Sequence, residues 1–146
     1  MTLENLLDKA LEAVDADAVS IQRLLDAAAR SLADSRLAGI SPEGRFDMAY
    51  KAIMQAANAA LQANGYRTLT SKPGHHQTMI QTLPRTIGLS PQTMVLLDSL
   101  RKQRNVIDYS GDTVSPSMAD EAQRQADKLL QDVTQWLRAN KAELVS

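Results

Sequence analysis

Cysteine is absent from this sequence of 146 residues, and aromatic residues make up only 3% of it. The lack of cysteine excludes disulfides and thiolate metal sites, and it is compatible with a reducing compartment. The scarcity of aromatic residues nearly excludes a surface that binds nucleic acid by stacking bases on rings. Apolar runs are short as well, because none approaches the roughly 20 residues that span a bilayer. The first residues lack the pattern of a secretory signal, so we expect a soluble, cytoplasmic protein without a membrane partner.

Neither sign of charge dominates, because 16 Lys and Arg face 17 Asp and Glu, for a formal net charge of −1. This balance argues against nucleic-acid binding by bulk positive charge and leaves only a local basic patch. Glycine-rich phosphate loops and metal-ligand clusters are missing too. The adjacent His75 and His76 have no further metal ligand near them in the sequence. We therefore expect neither a metal nor a cofactor.

Helix-favouring residues are abundant, above all alanine, leucine, glutamine and methionine. No stretch alternates β-branched and polar residues long enough to predict a convincing strand. Apolar residues spaced three and four apart predict a first helix from Thr2 to about Val14. The same spacing predicts a second helix that begins at Asp15 or Asp17 and ends at Gly39.

A serine followed by proline recurs where three later helices are expected to begin. The serine side chain accepts a hydrogen bond from a free backbone N–H, and proline lacks only an N–H that had no partner. The predicted helices run from Pro42 to Asn64, from Pro91 to about Ile107 and from Pro116 to about Lys141. Between them we expect a loop over residues 68–74 and a short helix from His75 to Leu83 before Pro84. Long helices with short connections predict one all-α domain over residues 1–146, an antiparallel bundle of four to five helices.

The segment from residue 99 to residue 111 concentrates charge near the end of a predicted core helix. Arg101 and Arg104 share one helix face, and Arg104 can pair with Asp108 four positions on. Asn105 inside a helix suggests a specific hydrogen-bond partner. In one interpretation, Arg104, Asp108 and Tyr109 form a structural network at the edge of the core.

In the other interpretation, the basic residues of this segment bind phosphate. Arg101, Lys102 and Arg104 are the main candidates for such a face, which Arg67, Lys72 and Arg85 could join from elsewhere in the chain. The planar fork of an arginine suits phosphate because it donates two parallel hydrogen bonds. The sequence leaves both interpretations open.

Arg104-Asn105 followed shortly by an aromatic residue, at the end of a core helix, resembles the signature of HEPN domains (higher eukaryotes and prokaryotes nucleotide-binding). Further short segments are similar to stand-alone bacterial members of that family and occur in the same order. They are Ala49–Ala57, Asn64–Arg67, Lys72–His76 and the pair Trp136-Leu137. The resemblance covers about residues 41–137.

The resemblance implies a helical bundle of the HEPN type and a homodimer in which the two arginine motifs meet. It also implies an RNA- or nucleotide-interacting protein of a bacterial toxin–antitoxin or defence type. Many family members are metal-independent endoribonucleases, in which a histidine a few residues after the arginine moves a proton. Here the corresponding positions hold Tyr109, Ser110 and Gly111. Arg104, Asn105 and Tyr109 are therefore the candidate catalytic residues, and we expect ribonuclease activity to be weak or absent.

Two other functions stay open. The chain can be a non-catalytic interaction module that pairs with a nucleotidyltransferase, an antitoxin or another partner protein. It can also be an active ribonuclease that uses Tyr109 or a histidine in an unfamiliar arrangement. His75 or His76 could serve only if the preceding loop folds back toward Arg104, which the sequence does not show.

Overall fold

The computed structural model describes residues 2–145 of the chain, and most of these residues are helical. The helices are α1 (Ala18–Ser35), α2 (Pro42–Ala63), α3 (His75–Gln81), α4 (Leu83–Thr86), α5 (Pro91–Ser110) and α6 (Pro116–Asn140). Two short strands, β1 (Leu11–Ala13) and β2 (Tyr66–Thr68), and two single turns of 3₁₀-helix, Glu4–Leu6 and Ala142–Leu144, complete the structure. Within the described range, no helix is both long and apolar enough to cross a membrane. The prediction of an all-α fold is confirmed at this level.

The predicted starts of the four long helices are confirmed, and each has its expected cap. Asp17, Ser41, Ser90 and Ser115 accept hydrogen bonds through their side chains from the backbone N–H three residues on. Proline follows each of the three serines in the first turn of its helix. These signals predict well because a cap acts within one helical turn and needs no distant contact.

The predicted first helix from Thr2 to Val14 is wrong. Only one 3₁₀ turn forms there, and Asp8 then takes a left-handed conformation with a φ of 64°, which stops a right-handed helix. The chain continues as β1, which pairs antiparallel with β2 and places Leu11 opposite Thr68. Leu11 is fully buried. The pairing with a segment more than fifty residues away overrides the helical spacing, and it also puts Thr68 in a strand instead of the predicted loop.

Two other predicted boundaries are displaced. Helix α1 ends at Ser35, before Gly39, and Gln123 of α6 donates a side-chain hydrogen bond to the Ser35 carbonyl. This contact supplies a partner to a carbonyl that lacks one within the helix. The segment after residue 75 forms two short helices, and Pro84 lies in the first turn of α4 and does not end the helical segment.

Helix α2 lies at the centre of the core, where it packs against both α1 and α6. Its buried alanines leave room for the neighbouring helices to approach closely. They are Ala49, Ala52, Ala56, Ala57, Ala59, Ala60 and Ala63. Larger buried side chains such as Phe46 and Ile53 fill the space between them. One face of α2 is left beside α3 and α5, and this face carries the candidate site.

Helix α5 packs at the edge of this core, chiefly against α3. Its buried residues Leu97, Asp98 and Leu100 all lie in its first ten positions. The helix continues beyond the predicted end at Ile107 to Ser110, where Gly111 takes a φ of 73°. The second half of α5 is therefore largely exposed on one side and faces α2 and α3 on the other.

Candidate functional site

A cleft of about 610 Å³ opens between α2, α3 and the second half of α5, a size that is usual for small-ligand sites. Its lining residues are Asp47, Met48, Tyr50, Lys51, Met54, Gln55, Asn58, Thr70, His75, His76, Met79 and Arg104. Three elements that lie far apart in the sequence thus contribute side chains to one concave surface.

Arg104 reaches the cleft because it lies one turn beyond the buried Leu100 on the inner face of α5. Its guanidinium lies over the ring of Tyr50, with Cζ 4.8 Å from the ring centroid. A cation over an aromatic ring is attracted by the negative face of the ring. Tyr50, itself almost fully buried, therefore holds Arg104 at the cleft wall.

The ion pair predicted between Arg104 and Asp108 is not present. Nε of Arg104 instead lies 3.8 Å from Oδ1 of Asp47, since the side chain extends toward α2 over the Tyr50 ring and not along α5. This separation is too long for a hydrogen bond. Among the residues that the structure describes, Nε of Arg104 is buried and has no hydrogen-bond partner. A buried donor without a partner lowers the stability of the fold unless another group accepts a hydrogen bond from it.

Both histidines lie in the same cleft as Arg104. Helix α3 starts at His75, directly after Gly74 takes a left-handed φ of 80°, and this turn brings the segment back against α2. The hydroxyl of Tyr50 is 3.2 Å from Nδ1 of His76. The His75 and His76 rings meet edge to face, with centroids 4.7 Å apart. The structure thus places both histidines in the cleft that Arg104 lines, a question that the sequence left open.

Burial and nearby charges shift the titration of these groups. Burial raises the pKa of the Tyr50 hydroxyl, although the positive charges of Arg104 and Arg101 act in the opposite direction. Burial also lowers the pKa of His76, and the charges of His75, Arg104 and Arg101 lower it further. At neutral pH the phenol is therefore protonated and can donate to the neutral His76 ring.

Asp47 provides a carboxylate at the same end of the cleft. Partial desolvation raises the pKa of Asp47; Arg104 opposes this shift, and Asp108 and Glu43 add to it. The Asp47 side chain is nonetheless 61% exposed, so its attraction to Arg104 is weakened by solvent. The carboxylate is thus an acceptor beside Arg104 but not a tight partner for it.

The structure does not bring together the three residues predicted to bind phosphate. Arg101 donates from Nε to Oδ1 of the buried Asp98 at 2.8 Å, and only 14% of its side chain is exposed. This hydrogen bond raises the pKa of Arg101. Lys102 lies 3.7 Å from the same carboxylate and extends into solvent. Arg104 alone of the three lines the cleft.

Asn105 and Tyr109 are not part of the cleft. Tyr109 is 93% exposed, so the prediction that it lies at the core edge in a network with Arg104 and Asp108 is wrong. Asn105 is also exposed, and its side chain makes no hydrogen bond within residues 2–145. Both residues are exposed on the outer side of α5, where no other part of residues 2–145 covers them.

Sequence reasoning missed the contribution of α2. Asp47, Lys51, Gln55 and Asn58 recur at intervals of three or four and form a polar stripe along an alanine-rich helix. The sequence shows that stripe as polar residues that recur at helical spacing between apolar ones. Its partner surface is not, because α3 and the second half of α5 reach it only in the folded chain.

No protein-family model matches the chain, and neither a curated protein nor a solved structure is significantly similar to it. Within the described residues, no group of three or more histidine, aspartate or glutamate side chains is placed to hold a metal ion. The chemistry of the cleft therefore has to be judged from its own side chains. It combines an arginine with an unpartnered donor, a lysine and two imidazoles, a set suited to phosphate binding and proton transfer.

Proposed function

We propose that this chain is a HEPN-like RNA- or nucleotide-interacting protein of a bacterial toxin–antitoxin or defence type, and that the cleft binds its ligand. The observation that supports this most is the buried, unpartnered Nε of Arg104 within the described structure. Lys51, His75 and His76 line the same cleft. Nε itself is out of reach of solvent, but the Arg104 side chain is 35% exposed, so the terminal nitrogens of the guanidinium can donate to a phosphate in the cleft.

The contrast with Arg101 supports a binding role for Arg104. Arg101 is bonded to a buried carboxylate, as expected of a structural residue. Arg104 stacks on the Tyr50 ring, and the carboxylate beside it is distant and exposed. A ligand that displaces Asp47 therefore gives up little, because exposed ion pairs contribute at most about 1 kcal/mol.

Fluorescence anisotropy with a labelled single-stranded RNA tests this proposal. We expect Arg104→Ala to raise Kd roughly tenfold or more, since a hydrogen bond to a charged group contributes about 1.5–3 kcal/mol. Arg85→Ala is the matched control, because Arg85 is exposed and lies outside the cleft. Equal losses in the two variants would indicate bulk charge only. Unchanged binding with a lowered melting temperature in Arg104→Ala would make Arg104 a structural residue.

A second candidate, metal-independent RNA cleavage, is favoured by the position of the histidines. His75 and His76 share the cleft with Arg104, so an imidazole is available where Tyr109 is not. An imidazole can accept or donate a proton near neutral pH, and an arginine can stabilise charge on the phosphate that reacts.

An RNA pool incubated with the purified protein in the presence of a chelator tests this activity. Cleavage by the catalytic route requires Arg104 and at least one histidine, so Arg104→Ala and either His75→Ala or His76→Ala should abolish it. Cleavage that persists in Arg104→Ala would come from a contaminant. No cleavage by the wild-type protein would leave binding as the function of the cleft.

A further inference from the structure

The two ends of the cleft differ in chemistry. Arg104 and Asp47 lie at one end, and Gln55 and Asn58 lie at the other. Asp47 and Asn58 are eleven residues apart on α2, which corresponds to roughly 16 Å along the helix axis. Met54 and Met79 line the space between these ends. The cleft thus has a charged end and an amide end, and Lys51 lies between them beside the two methionines.

The amide end presents hydrogen-bond donors. Ser31, which is almost fully buried, donates from Oγ to Oε1 of Gln55 at 2.9 Å. Gln62 donates from Nε2 to Oδ1 of Asn58 at 3.2 Å. Both amide oxygens are therefore engaged by neighbouring side chains. The NH₂ groups of Gln55 and Asn58 have no acceptor among the described residues and are free to donate to a ligand.

This arrangement suits a ligand with an anionic group at one end and hydrogen-bond acceptors at the other. A nucleotide has this form, because its phosphate and the far edge of its base are joined by the sugar. Uracil carries a carbonyl oxygen at the position where cytosine carries an amino group, and the two bases otherwise have nearly the same shape. The donors of Gln55 and Asn58 can bond the carbonyl but oppose the amino group.

We infer that the cleft binds one nucleotide with its phosphate on Arg104 and its base edge on Gln55 and Asn58, and that it prefers uracil to cytosine. This inference rests on the proposed function and specifies which base the same site accepts. The nucleotide is either free or one unit of an RNA strand, since both present the same groups to the cleft. The preference comes from the amide end and the affinity from the charged end.

Titration calorimetry with UMP and with CMP measures the preference directly. For the wild-type protein we expect UMP to bind roughly tenfold more tightly, because one well-formed set of hydrogen bonds to a base edge discriminates by about this factor. Arg104→Ala should weaken the binding of both nucleotides and leave the ratio of their Kd values unchanged. Oligouridylate and oligocytidylate, followed by anisotropy, provide the same comparison for a nucleotide within RNA.

The double variant Gln55→Glu/Asn58→Asp tests the origin of the preference. Each substitution keeps an oxygen to accept from Ser31 or Gln62 and replaces only the NH₂ group by a second acceptor. The added negative charge weakens the binding of both nucleotides, so the ratio of the two Kd values is the quantity to compare. We expect the ratio to reverse in favour of CMP. Gln131→Glu, an exposed amide on α6 outside the cleft, controls for charge and should keep the preference for UMP. Asn58→Asp alone provides the same test should the double variant fold poorly.

The outcomes separate this inference from the proposed function. Equal binding of the two bases, as nucleotides and as oligomers, would overturn the inference; an Arg104-dependent affinity in the same experiment would leave the proposed function standing. A preference that the double variant keeps would also overturn it. If neither nucleotide nor RNA binds the wild-type protein, the proposed function falls together with the inference.

Discussion

Arg101 and Arg104 stand three positions apart on α5, yet they have different partners. Arg101 meets Asp98 on its own helix, whereas Arg104 extends over Tyr50 of α2. Their spacing predicted a shared face and so a shared role. What separates them is the neighbouring helix, since only Arg104 lies where α2 offers an aromatic ring. A residue type and its spacing therefore indicate which groups are available, but not which group each one contacts.

The buried position of His76 leads to a prediction on pH. Its pKa in the folded state lies below its ordinary value, so the unfolded chain binds the proton more readily. The free energy of unfolding is unaffected by this group well above pH 6.5, and it decreases as the pH falls below 6.5 through the folded pKa. Urea denaturation at a series of pH values measures the decrease.

The variant His76→Gln isolates this contribution, because the other groups at the cleft, Asp47 and Tyr50 among them, are unchanged. We expect the variant to lose less stability than the wild-type protein as the pH falls from 7 toward 5. His75→Gln serves as the comparison, because it removes the neighbouring imidazole and keeps His76 itself. Identical pH profiles for the wild-type protein and His76→Gln would contradict the prediction.

At the scale of elements, α2 combines two functions on one helix. Its alanine-rich faces pack against α1 and α6, and its polar stripe lines the cleft. The close packing fixes the position of the stripe, because a helix held on two sides cannot rotate about its axis. The packing of α2 and its proposed role in binding are thus coupled through its small residues.

Ala56→Leu tests the close packing of α2. Ala56 is fully buried, so three extra carbon atoms would force the neighbouring helices apart and destabilise the fold by about 1–3 kcal/mol. Ala33→Leu on α1 is the matched control, because Ala33 is exposed and the change there should stay within about 0.5 kcal/mol. Urea denaturation of both variants measures the difference. Equal stability of the two would show that α2 is packed more loosely than the structure indicates.

At the scale of the whole molecule, the outer face of α5 carries several exposed apolar or aromatic side chains. Val95, Val106 and Tyr109 are exposed and lie on one side of the helix. We predict that the protein is a homodimer with this face in the interface. The family resemblance implies a homodimer in which the two arginine motifs meet, but Arg104 faces α2 on the opposite side of α5. Exposed apolar side chains aligned on one helix face are typical of such contacts.

Light scattering at micromolar concentration tests the dimer. Val106→Asp should convert a wild-type dimer to a monomer, because a charge in an apolar interface is costly to bury. Val19→Asp is the matched control, since Val19 is an exposed valine on α1 and its substitution should leave the dimer intact. A wild-type protein that is monomeric at this concentration would contradict the prediction.

The sequence by itself determined the all-α class and where the four long helices begin. Asp17, Ser41, Ser90 and Ser115 each act on an amide three residues away, and apolar spacing acts along a single helix. Such signals are complete within a few residues, so they can be read without the fold. Apolar spacing alone gave a wrong prediction at Leu11, because this residue lies in a strand that pairs with Thr68 in a distant segment.

Only the tertiary structure decided which side chains form the cleft. Tyr50, His76 and Arg104 come from three helices, and their contacts depend on how α3 and α5 pack against α2. It likewise placed Tyr109 in solvent, although the sequence had put it beside Arg104 as a candidate site residue. Residues close in sequence point to different sides of a helix, whereas distant residues meet when their helices pack, and this packing depends on burial across the whole chain.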